Sequence, residues 1–92
     1  MLDSRSAPRR QADVLTQEVS GTAVLLNPHD GQYYALNDVG RRVWELCDGA
    51  RTIAEIISLV CQEYDAPEEM VRADVMELLE DLQGERLVVA SA

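Results

Sequence analysis

The chain has no lysine: its eight basic residues are all arginine, set against 17 acidic residues for a formal charge of −9. Arg5, Arg9 and Arg10 stand at the N-terminus, so the rest of the chain is more acidic than the total implies. Such a surface repels phosphate backbones and anionic lipid and favours basic or neutral partners. Histidine occurs once, as His29 in the turn sequence before Asp30-Gly31. Together with Cys47 and Cys61 it lacks zinc-ligand spacing, so no metal site is expected. The two cysteines fall inside predicted helices and form no CxxC pair; they read as buried thiols acting as small hydrophobes, not as a disulfide. Apolar runs long enough to span a bilayer are missing, and no hydrophobic segment follows the charged N-terminal residues. Neither a membrane span nor a signal peptide is expected, and a cytosolic address follows by default. Ser4, Ser6, Ser20, Ser58 and Ser91 have no neighbouring base and no nucleophile-elbow sequence. No glycine-rich loop opens a helix as phosphate binding requires. The carboxylates fall on helix exteriors, where a solvated face accounts for them. The sequence therefore predicts a non-catalytic protein without a cofactor of its own.

Ninety-two residues, 47% of them apolar, suffice for one small domain with a single core. Residues 1–12 are polar, contain Pro8 and two adjacent arginines, and are predicted to be a disordered tail before a single domain over residues 13–92. A β pattern covers 14–19 and resumes at 22–27, with Ser20-Gly21 between as a tight hairpin turn. Pro28-His29-Asp30-Gly31 is a second turn leading into a third strand over 32–36. Asn37 is a fitting N-cap for a helix that runs to about residue 48 and stops at Gly49. Thr52-Ile53-Ala54-Glu55 reads as a capping box, opening a helix whose apolar face is Ile53, Ile56, Ile57, Val60, Cys61 and Tyr64. Asp65-Ala66-Pro67-Glu68 is predicted to open a third helix, with Asp65 as cap and Pro67 in the first turn. Val71, Val75, Leu78, Leu79 and Leu82 form its stripe and Gly84 ends it, leaving residues 87–89 to dock or pair briefly. The prediction is an α+β, winged helix-turn-helix-like fold: a three-stranded antiparallel meander followed by three α-helices.

DNA binding is the obvious use of such a fold, and the third helix argues against it. It carries Glu68, Glu69, Asp74, Glu77, Glu80 and Asp81 against Arg72 alone, whereas DNA binding needs several phosphates neutralised. Peptide binding fits better. The third strand closes a meander, so one side of its backbone has unpaired N–H and C=O groups, to which an extended peptide can add as a further strand. Val71, Val75 and Leu78 would floor the adjoining groove, with Asp74 or Glu77 at its lip favouring basic peptide residues. Core packing is the competing use of those apolar side chains, and it accounts for most of them. Tyr33 and Tyr34 point to opposite faces of the strand, and the pattern does not say which points inward.

Residues 24–49, Val-Leu-Leu-Asn-Pro-His-Asp-Gly-Gln-Tyr-Tyr-Ala-Leu-Asn-Asp-Val-Gly-Arg-Arg-Val-Trp-Glu-Leu-Cys-Asp-Gly, resemble the PqqD family. So do Arg-Thr-Ile-Ala-Glu-Ile at 51–56, the Tyr-Asp-Ala-Pro-Glu-Glu turn and the Leu-Leu-Glu-Asp-Leu ending of the last helix; the similarity covers about residues 14–89. The resemblance implies a small winged-helix peptide chaperone, also called a RiPP recognition element. Such a protein binds the leader of a ribosomally made precursor and presents it to a modifying enzyme. In pyrroloquinoline quinone biosynthesis these partners are the PqqA peptide and a radical SAM protein. By the same resemblance the leader adds to the third strand at Gln32, Tyr33, Tyr34, Ala35 and Leu36 and lies against Val71, Asp74, Val75 and Leu78. Asn37, Gly40 and Trp44 match the pattern as cap, close-packing position and core aromatic. The wording is equally similar to stand-alone recognition proteins of lasso-peptide pathways, which leaves the pathway open. Two other readings stand beside this one: a winged-helix DNA-binding regulator, and a scaffold that dimerises by pairing or swapping edge strands.

Overall fold

In the computed structural model, which describes residues 2–91, the chain runs β1 (Ala7–Arg10), β2 (Leu15–Val19), β3 (Thr22–Leu26), β4 (Tyr33–Leu36), α1 (Asp38–Leu46), α2 (Ile53–Tyr64), α3 (Glu68–Gly84) and β5 (Val88–Ser91). β2, β3 and β4 form an antiparallel meander, while β1 pairs antiparallel with β5 in a separate two-stranded ladder. The α+β architecture predicted from the pattern, with the meander ahead of three helices, is present. Ser20 and Gly21 both take positive φ, 51° and 80°, the backbone that lets a two-residue turn follow the twist of its strands.

Residues 7–10 depart from the disordered tail that composition suggests. Ala7 to Arg10 lie in register with Ser91 to Val88, and Pro8 is fully buried. The N-terminal segment also supplies groups that the helices lack. Ser6 and Ser4 carbonyls accept from the Ile53 and Ala54 N–H groups in the first turn of α2, each at 2.9 Å. The Arg10 guanidinium donates to the Trp44 and Glu45 carbonyls, at 3.1 and 2.9 Å, at the end of α1, whose last turn has no basic residue. Helix ends carry unsatisfied donors and acceptors, and a cation at a C-terminus opposes the helix dipole.

The helices follow their sequence signals, with three differences. Asn37 Oδ1 accepts from Gly40 N at 2.8 Å and caps α1. Thr52 and Glu55 exchange both bonds of a capping box at α2. Asp65 does not cap α3; it closes α2 in the left-handed region (φ 49°, ψ 48°), which Asp tolerates because its short side chain can bond locally. Pro67 takes the N-cap position of α3, without a side-chain cap bond. Helix α1 ends at Leu46, short of residue 48, because the chain turns there: the Asp48 carboxylate accepts from the Ala50 and Arg51 N–H groups, which hold it below the usual carboxylate range.

Ala23, Leu25 and Leu36 on the inner sheet face, Val43 and Trp44 on α1, Ile53, Ile56, Ile57 and Val60 on α2, and Val71, Val75, Leu79 and Leu82 on α3 share one core. Each fully buried aliphatic side chain contributes about 1.5–3 kcal/mol. Trp44 Nε1 donates to Thr16 Oγ1 at 3.2 Å and so ties α1 to β2. Cys47 is fully buried and Cys61 half-buried, both free thiols; burial pushes the Cys47 pKa up to about 12. No helix among the described residues is long and apolar enough to cross a membrane.

Candidate functional site

Among the described residues, strand β4 occupies the end of the meander and has a neighbour on one side only. Its pairing shows which backbone groups remain open. Asn27 N donates to Gln32 O at 3.0 Å, just beyond the paired strands. Hydrogen-bonded and non-bonded pairs alternate along an antiparallel ladder. Counting from Asn27 and Gln32, the pairs Leu25–Tyr34 and Ala23–Leu36 exchange bonds, and Leu26–Tyr33 and Val24–Ala35 do not. The N–H and C=O groups of Tyr33 and Ala35 therefore face away from β3, toward the open edge.

Side chains alternate in the other direction. Leu36 is buried and Tyr34 half-buried on the inner face, whereas Tyr33 is 70% exposed on the outer one. Tyr34 is thus the tyrosine that faces the helices. Its hydroxyl reaches Asp81 Oδ2 on α3 across a long 3.5 Å contact. Burial, followed by the nearby Asp81 carboxylate, raises its pKa above the ordinary phenol value. The phenol stays protonated at neutral pH and points its proton at the helix.

Between β4 and α3 lies an open cleft of about 440 Å³. Tyr34, Ala35 and Leu36 form one wall, and Asp74, Val75, Glu77, Leu78 and Asp81 the other. Asn37, Val39, Gly40 and Val43 close the end where the strand becomes a helix. Gly40 packs closely there: a Cβ would come within 3.2 Å of Asn37 Oδ1, the atom that caps the helix, and would press on that cap.

Six of the nine residues expected at the site, Tyr34, Ala35, Leu36, Asp74, Val75 and Leu78, border this cleft. Gln32 and Tyr33 border a smaller one with Asn27, Glu85 and Leu87, and Val71, 6% exposed, belongs to the core. Val39, Val43 and Asp81 line the cleft without having been singled out. Asp81 lies seven positions after Asp74 and three after Leu78, so helical spacing alone places it on the same stripe. Val39 and Val43 gave no such signal, since a core stripe has the same spacing. Among the described residues no group of three or more His, Cys, Asp or Glu is placed to hold a metal ion.

A winged-helix-like domain whose free strand edge opens onto a helix-walled cleft is a peptide-binding module, the arrangement that accepts an extended segment as an added strand. A family model described as coenzyme PQQ synthesis protein D (PqqD) matches residues 22–88, and the chain belongs to that family. The resemblance read from residues 24–49 and the later helices is borne out. A PqqA binding protein of Rhodopseudomonas palustris (strain HaA2) is 34% identical over 79 residues, which cover 86% of this chain and 76% of that protein. The solution structure of the PqqD truncation of Methylobacterium extorquens PqqCD, described as a functional, stand-alone RiPP recognition element, superimposes with a TM-score of 0.81 at 26% identity. It covers 97% of this chain and 95% of its own. TbiB1 in complex with the TbiA(beta) leader peptide gives 0.78 at 27% identity, over 91% of this chain and 98% of that one.

Proposed function

We propose that this protein is a non-catalytic recognition element that binds the leader of a ribosomally made precursor peptide and presents it to the enzyme that modifies it. The leader adds as a fourth strand on β4 and lays its inward side chains in the cleft against α3. The outward N–H and C=O groups of Tyr33 and Ala35 beside that cleft carry the reading, because they offer paired donors and acceptors to any extended backbone. Similarity to PqqA binding proteins supports PqqA as the leader, and the resemblance to the PqqD family implies a radical SAM enzyme as the acceptor. Similarity to a leader-bound TbiB1 supports the same mode in another peptide-modifying pathway. The whole of residues 7–91 acts as one binding unit in the cytosol. Titration with synthetic leader peptides, PqqA's first, read by amide NMR shifts, tests this. Shifts concentrated on residues 33–37 and on residues 74–81 of α3 are expected; shifts confined to other surfaces would move the peptide off this edge.

A further inference from the structure

Resting on that reading, we propose that the cleft selects leaders carrying a basic–x–apolar–x–basic segment, with Asp74 and Asp81 taking the two cations and the apolar residue seated between them on Leu78 and Val75. Three facts lead there. The first is the open edge of Tyr33 and Ala35, which fixes an added strand alongside α3 and turns every second peptide side chain into the cleft. The second is the order of groups on the facing wall: Asp74, Leu78 and Asp81 follow one another along one helix stripe, acid, aliphatic, acid. The third is charge left over. Carboxylates beside an arginine pair with it, as Glu18 does with Arg41, Glu63 with Arg42 and Glu68 with Arg72. Among the described residues no ion pair includes Asp74, Glu77 or Asp81. Among the described residues no arginine lines the cleft, and a bound peptide can supply the cations.

The spacing is compatible. Seven helical residues rise about 10.5 Å, and inward side chains two and four residues apart on a strand sit about 7 and 14 Å apart. Long, flexible Lys or Arg stems close the difference while their stems cover apolar surface. Glu77 adds a further negative charge between the ends. An acidic leader segment would meet three like charges at once.

A peptide-display library selected on the full chain provides the test, with binders then sorted by loss of binding to Ala35→Pro. Edge-dependent binders are expected to share Lys or Arg two residues either side of an apolar position. The triple variant Asp74→Asn, Glu77→Gln, Asp81→Asn should weaken such a peptide at least about tenfold at about 0.1 M salt, a difference that shrinks at about 1 M, where charges are screened within about 3 Å. The same peptide with Gln at the basic positions should bind both proteins alike. Edge-dependent binders that are neutral or acidic at those positions, or a triple variant that holds the basic peptide as tightly as the parent, would overturn the charge rule and leave strand addition standing. Binders indifferent to Ala35→Pro, or no binders at all, would overturn strand addition itself and the charge rule with it.

Discussion

Proline at Ala35 separates binding from folding more sharply than any other single change at this edge. The Ala35 N–H points out of the sheet and takes no part in the β3–β4 ladder, and its side chain lies on the exposed outer face. Proline removes that donor and puts ring atoms where an incoming strand must approach. Edge strands tolerate proline on their solvent side, so Ala35→Pro should stay folded, with stability changed by no more than about 1 kcal/mol. The effect on binding is larger. Tyr33 and Ala35 together offer two donors and two acceptors, each bond worth about 1 kcal/mol net. Losing the Ala35 donor forfeits one of them and strands the peptide carbonyl that it served, at about 1–3 kcal/mol more. A total of about 2–4 kcal/mol corresponds to affinity weakened about thirty-fold to several hundred-fold. Calorimetric titration of a leader peptide measures this directly, beside thermal melts followed by circular dichroism. Tyr34→Pro is the contrasting variant: its N–H belongs to the bonded pair with Leu25, so the melt and not merely the affinity should collapse. An Ala35→Pro protein that melts like the parent and binds with unchanged affinity would refute strand addition at β4.

Three further outcomes follow from local geometry. Asn37→Ala removes the Gly40 cap bond and should cost about 1 kcal/mol, read as a lower chemical-denaturation midpoint with an unchanged slope. Cys47, fully buried with its pKa pushed up to about 12, should resist alkylation at neutral pH until the protein unfolds, while half-buried Cys61 reacts first; rapid labelling of both in the native state would contradict that burial. Asp48 and Glu55 have carboxyls held below their ordinary pKa values of 3.8 and 4.5, chiefly by backbone N–H bonds. Their contribution is present above those values and is lost as pH falls through the lower native ones. Glu55→Gln should therefore flatten the acid limb of the stability profile below about pH 4.5 and leave the shape of the profile at neutral pH unchanged.

Features that depend on neighbours in sequence were legible before any coordinates. The Ser20-Gly21 turn, the Asn37 cap, the Thr52–Glu55 box and the apolar stripes of α2 and α3 each involve residues a few positions apart. Their physics is contained in a short window. Where two local rules competed, the pattern misled: Asp65 fits an N-cap by composition, yet its left-handed backbone closes the preceding helix. Of the cleft, the acidic stripe and the free edge could be read in advance, because charge spacing on a helix and the last strand of a meander are both sequence-level properties. Val39 and Val43 could not, since a helix stripe looks the same whether it lines a core or a groove.

The amino-acid order was enough to establish a small acidic α+β domain and the order of the meander and three helices. Both rest on composition, period and short-range capping. Three-dimensional packing settled the rest. It brought Ala7–Arg10 against Val88–Ser91 from the other end of the chain, a pairing invisible to any local window because its favourable contacts exist only once the helices between have folded. It also set the phase of β4. A strand's period of two says that Tyr33 and Tyr34 face opposite ways, but only the register against β3 says which one meets α3. That choice turns the backbone of Tyr33 and Ala35 outward, and with it the edge on which a peptide can pair.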